Sequence, residues 1–177
     1  MRNFPFIVVG LLALILFSCN KTKETKSSAT VEENSNTVGG YEIDGDSLLL
    51  PELQFEIKLS EKAAARLKKD HESIIVQAYL SGVPKPDSKV QPDEMGELNL
   101  GSAHVELYSP GVATFENTKI SKAAFESLQE KDFQVLINVF SGRRSSEMNL
   151  LDCEIVQEPI SKVRGKKLVI RGKLIEE

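Results

Sequence analysis

Between Leu53 and Leu59 the chain reads LQFEIKL, four apolar residues alternating with three polar ones. Unbroken period-two alternation suits an extended strand with one buried face, because successive side chains of a strand point to opposite sides. The same period returns at Phe133–Phe140, which puts Phe133, Val135, Ile137 and Val139 on one face. It returns again at Leu150–Gln157, where Leu151, Cys153 and Ile155 align, and at Lys167–Ile175, where Leu168, Ile170 and Leu174 align around Gly172, a glycine that marks a bulge or a close approach. Ser73–Leu80 (SIIVQAYL) is apolar on most of both faces, which predicts a central strand. Ala103–Tyr108 and Val112–Thr118 read as a strand pair turning at Ser109-Pro110-Gly111.

Two short stretches break the period. Ser60–Lys69 offers a Ser N-cap, three alanines and cations in the last turn, and Ser121–Gln129 repeats the capped pattern. About seven strands with one or two short crossover helices predict an all-β fold, an antiparallel β-sandwich. The alternative is a two-layer α+β domain. The expected core is Leu53, Phe55, Ile57, Val76, Phe133, Val135, Ile137, Leu151, Ile155, Leu168 and Ile170.

The N-terminus follows different rules. MRNFPFIVVGLLALILFSC carries Arg2, then an apolar run from Phe6 to Phe17 that is too short to cross about 30 Å of hydrocarbon as a helix. It has the form of a secretory signal, residues 1–18. The string Leu16-Phe17-Ser18-Cys19 resembles the lipobox of bacterial lipoproteins. The resemblance implies cleavage before Cys19, a diacylglyceryl thioether on its sulfur, and a palmitate-type acyl anchor. Asn20, where an Asp would mark inner-membrane retention, implies the outer membrane, and Asn20-Lys21-Thr22-Lys23, without an acidic cluster, implies a periplasm-facing position. Residues 19–46, rich in Lys, Glu, Ser, Thr and Asn, are expected to form a lipidated flexible tether, and residues 47–177 the β-sandwich domain. With Cys19 acylated, Cys153 has no intramolecular disulfide partner and is expected to be buried rather than reactive. The runs Phe55-Glu56-Ile57, Ile75-Val76-Gln77-Ala78-Tyr79 and Phe133–Phe140 resemble, in outline, transthyretin-like β-sandwich lipoproteins, a group that includes the outer-membrane lipoprotein of type VI secretion machines.

Chemistry-bearing patterns are sparse. A net charge of −4 and a pI near 5.4 argue against a nucleic-acid partner. His104 alternates with Glu106 and Tyr108 on a strand face opposite Ala103, Val105 and Leu107, a spacing that matches no zinc pattern, and His71 follows a helix end. No Gly-x-Ser-x-Gly is present, and the acids of Asp93-Glu94 and of Asp152 and Glu154 define no cleft. The pattern therefore predicts no catalysis, no cofactor and no metal.

The loop Ser141–Asn149 carries Arg143 and Arg144 among Gly and Ser, donors suited to a carboxylate or phosphate. Its bland alternative is a solvated hairpin loop. Loop 81–97 is longer than connection requires, and both loops are expected at one end of the sandwich if their preceding strands run the same way. Residues 161–177 carry a net charge of +4, read chiefly as protection of an edge strand and secondarily as a membrane-binding surface. The function expected is a non-enzymatic, lipid-anchored binding or scaffold protein, with an envelope protein or an anionic glycan or lipid as partner. The alternatives are a small hydrolase assembled from distant residues and the anchor subunit of a secretion apparatus.

Overall fold

The computed structural model describes residues 36–176. In chain order its strands and helices are β1 (Thr37–Val38), β2 (Tyr41–Asp44), β3 (Ser47–Leu49), β4 (Leu53–Leu59), α1 (Glu61–Lys69), β5 (Ile74–Gly82), β6 (Leu98–Leu107), β7 (Val112–Phe115), β8 (Lys119–Ser121), α2 (Lys122–Glu126), β9 (Gln134–Ser141), β10 (Leu151–Cys153), β11 (Val156–Pro159), α3 (Ile160–Val163) and β12 (Lys167–Leu174). They form three sheets, ordered β1-β2-β3-β8, β10-β12-β4-β7 and β11-β9-β5-β6. The expected all-β, sandwich-like architecture is present, largely antiparallel, with three short helices rather than one or two.

Alternation does the work that the sequence pattern predicts. Leu53, Phe55 and Ile57 of β4 and Ile170 of β12 turn inward from the second sheet. Ile74, Val76, Ala78 and Leu80 of β5, with Val135, Ile137 and Val139 of β9, turn inward from the third, and all join one core. The helices cover its ends. Ser60 caps α1 by accepting a hydrogen bond from Ala63 N–H at 3.1 Å, and the helix buries Ala63 and Leu67. Ser121 caps α2 in the same way, and Phe125 of that helix meets Tyr41 and Phe133 edge-on, with ring centroids 5.4 and 6.2 Å away, while Tyr41 and Phe133 meet tilted at 6.3 Å.

Several expectations need correction. Strands β1 and β2 lie inside the segment expected to be tether, because Tyr41 supplies an apolar ring that the aromatic cluster buries. The proposed hairpin between β6 and β7 does not form. β6 pairs with β5 and β7 with β4, so the Ser109-Pro110-Gly111 turn carries the chain from one sheet to another. One pair is parallel, β4 with β12 (Phe55 opposite Leu168, Ile57 opposite Ile170). The basic strand β12 is thus an inner strand, flanked by β4 and β10, and not the edge that its lysines suggested. Only Gly172–Leu174 have β10 as partner, and Arg171 is met by Glu154 just beyond it. Leu168 packs against the core, but Ile155 is 65% exposed. The ladder breaks at Glu154-Ile155 as the chain leaves β10 for β11, which reverses the parity and turns Val156 inward instead.

Candidate functional site

The most engaged polar group among the described residues is one that the sequence reading passed over. Helix α1 ends at Lys69, His71 takes a left-handed conformation (φ 52°), and Glu72 N–H donates to Leu67 O at 2.9 Å. This tight exit places Glu72, 3% exposed, at the joint before β5. The loop after β9 folds back onto it. Gly142 N–H donates to Ser73 O at 2.8 Å, and Arg143 adopts φ 57°, a turn that aims the next amides inward. Arg144 N–H then reaches both Glu72 oxygens at 2.9 and 3.0 Å, Ser145 gives Oε2 its N–H and its hydroxyl, each at 2.8 Å, and Ser73 N–H donates to Oε1 at 3.0 Å. Burial alone would raise the carboxyl pKa. The bonds from Ser145, Arg144 and Ser73 outweigh it and hold the group at about 2.

The Arg144 side chain extends the network outward. Its guanidinium meets Glu106 Oε1 at 2.7 Å through one terminal nitrogen and at 2.9 Å through Nε, which also reaches Ser73 Oγ at 3.3 Å. The same terminal nitrogen donates to the Tyr108 hydroxyl at 3.3 Å, and the guanidinium lies 5.5 Å from the Tyr108 ring centroid. Hydrogen bonds from Ser73, and then from Arg144, lower the Glu106 pKa. Tyr108, with Ala64, Ala65, Leu67, Lys68 and Pro110, borders a largely apolar cleft of about 400 Å³, and Glu72 lies in its wall. Such a concavity, with a few fixed polar groups at its mouth, is the usual form of a recognition site.

The Ser141–Asn149 loop, expected to offer its donors to a partner's carboxylate or phosphate, commits the amides of Arg144 and Ser145 to the chain's own Glu72. Arg144 is committed to Glu106 and Tyr108, whereas the exposed Arg143 side chain makes no hydrogen bond or ion pair among the described residues. The loop after β5 does not join them. β5 and β9 are antiparallel neighbours with Ile74 opposite Ser141, so their following loops leave from opposite ends of the sheet, and Val90 and Met95 lie far from the arginines. His104 is exposed on the outward face of β6, as read, and His71 is exposed too. Among the described residues no group of three or more His, Cys, Asp or Glu is placed to hold a metal ion.

Cys153 is half-buried, its thiol pushed up to about 11 by burial and then by Asp152 and Glu154. Cys19 and the signal segment lie outside the described residues. Glu72 and Tyr108 carried one usable sequence signal: an acid set between a capped helix and an apolar strand has to be paired once the strand is buried. Comparison of the chain with protein-family models, curated protein sequences and solved structures finds no match.

Proposed function

We propose that the chain is a lipid-anchored cell-envelope protein that acts by binding, or as a scaffold, rather than by catalysis. Its anchor is the acylated Cys19, in the outer membrane and facing the periplasm. Its recognition site is the cleft beside Tyr108, with Lys68 and the Ser141–Asn149 loop at the rim. The observation that carries this reading is the rigid loop. Glu72 takes the inner amides of Arg144 and Ser145, so the loop is fixed before any partner arrives and ordering it costs little on binding. Lys68 lines the apolar cavity, and the exposed Arg143 precedes the amide that holds Glu72 in the cavity wall, so both add positive charge to this part of the surface. The matching partner is an envelope protein, glycan or lipid that presents an apolar group next to a carboxylate or phosphate.

Two measurements test it. Mass spectrometry of the membrane-extracted full chain is expected to show the first 18 residues lost and acyl mass gained, with Cys19→Ala released from membranes. A full-length species, or an alanine variant still in the membrane fraction, overturns the anchor. A photo-crosslinking side chain at Ser109, on the cleft wall, is expected to capture a partner in intact cells. Arg143→Ala with Lys68→Ala should reduce that capture about tenfold, equivalent to roughly 1.4 kcal/mol. Unchanged capture moves the recognition site elsewhere.

A further inference from the structure

The outward face of the third sheet differs from the rest of the surface. Across the β5–β9 ladder it presents three rows: Ile75 beside Phe140, Gln77 beside Asn138, and Tyr79 beside Leu136. An amide row thus lies between two apolar rows. Glu106, His104 and Ser102 of β6 extend the rows on one side. Among these positions Glu106 is the only Asp, Glu, Lys or Arg, and Arg144 neutralises it. Over the whole chain 27% of residues are charged. Tyr79 is 47% exposed, and the parity change after β10 leaves Ile155, 65% exposed, beside Asn138 in the continued β9–β11 register. Charge depletion with exposed aromatic and aliphatic side chains is the composition of an interface core.

We propose that this face docks against the same face of a second copy of the chain. An anionic membrane surface or a strongly charged peptide needs a field of one sign on its receptor, and this face has none. A second copy needs none. A half-turn about an axis along the amide row lays Ile75 over Tyr79 and Phe140 over Leu136, apolar row on apolar row. It also sets Gln77 and Asn138 opposite their own images, where carboxamides can both donate and accept. The rows span on the order of 400 Å² in projection at ordinary strand spacings. That is about half the roughly 800 Å² per partner of a standard interface. The association is therefore weak and reversible.

The test uses the full chain in the membranes of expressing cells. With Asn138→Cys, a short bis-maleimide is expected to give a product of twice the chain mass containing peptides of this chain alone. Cys153 of the unaltered chain provides the background. Adding Leu136→Asp should lower the yield about tenfold with an unchanged melting temperature. Should that variant prove unstable, Tyr79→Lys, at a half-exposed position, is expected to give the same loss. Absence of the doubled product, a yield unaffected by both substitutions, or a product containing a different protein would overturn the proposal. So would protection of Asn138→Cys from soluble maleimide by lipid in a chain that runs as a monomer.

Discussion

A carboxylate with almost no solvent contact stays ionised only when donors surround its oxygens, and those of Glu72 receive bonds from Ser73, Arg144 and Ser145. Its folded pKa, about 2, lies below the ordinary 4.5. A depressed pKa contributes stability that is fully present above the unfolded value and is lost as pH falls through the folded one. The window runs from about pH 5 to about pH 2, and the contribution is about 3 kcal/mol. Glu72→Gln keeps the size but turns an amide nitrogen toward N–H groups that need an acceptor. It is expected to lower unfolding free energy by about 2–4 kcal/mol at neutral pH in urea titration. It should also flatten the acid limb, leaving the slope due to the other carboxylates with lowered pKa, Glu106 and Asp132. An acid limb as steep as the wild type's would show that the cradle does not set it. Gly142 belongs to the same device, since a Cβ there would fall on Ser73 Oγ. The sequence signalled that Glu72 needs a partner but not which one, because apart from the adjacent Ser73 its donors come from about seventy residues downstream. Arg143 and Arg144 were legible as a charged loop, but which of the two remains uncommitted was set by Glu106 of β6 and by Tyr108 just beyond it.

Strands announce themselves by period, and β4, β9 and β12 appear where alternation placed them, with β5 where a run apolar on both faces did. Helix starts were equally plain, because Ser60 and Ser121 each satisfy an amide that the first turn leaves open. What alternation cannot reveal is a change of parity inside an apolar run. Glu154 and Ile155 belong to neither strand, although Glu154 N–H still donates to Arg171 O of β12, so the chain enters β11 one residue out of step and Val156 takes the inward position. The pair of variants Ile155→Asp and Val156→Asp reads this directly. The first is expected to change stability by less than about 0.5 kcal/mol and the second to cost about 2–4 kcal/mol, as measured by chemical denaturation. Reversed magnitudes would restore the uninterrupted strand. Pairing partners were also hidden. The turn at Pro110 looks the same in sequence whether it closes a hairpin or, as here, carries the chain between sheets.

At the scale of the molecule, the domain boundary moved for a physical reason. Polar composition suggested a tether through residue 46, yet Tyr41 sits 4% exposed against Phe125 and Phe133, with Arg164 over its ring at 4.8 Å. A chain cut to begin at residue 47 is expected to unfold at roughly 3–5 kcal/mol lower stability than one beginning at residue 36, the cost of emptying an aromatic site. Equal midpoints in denaturant would return β1 and β2 to the tether. The parallel pairing of β4 with β12 joins strands more than a hundred residues apart, and β12 also carries β10 on its far side. During synthesis the second sheet therefore cannot close until nearly the whole chain has emerged. Loop closure over such a span makes assembly slow, and a nascent chain that must wait for its last strand remains open and threadable. Under the export proposed above, late closure would keep the chain in the extended form that passes through a membrane channel.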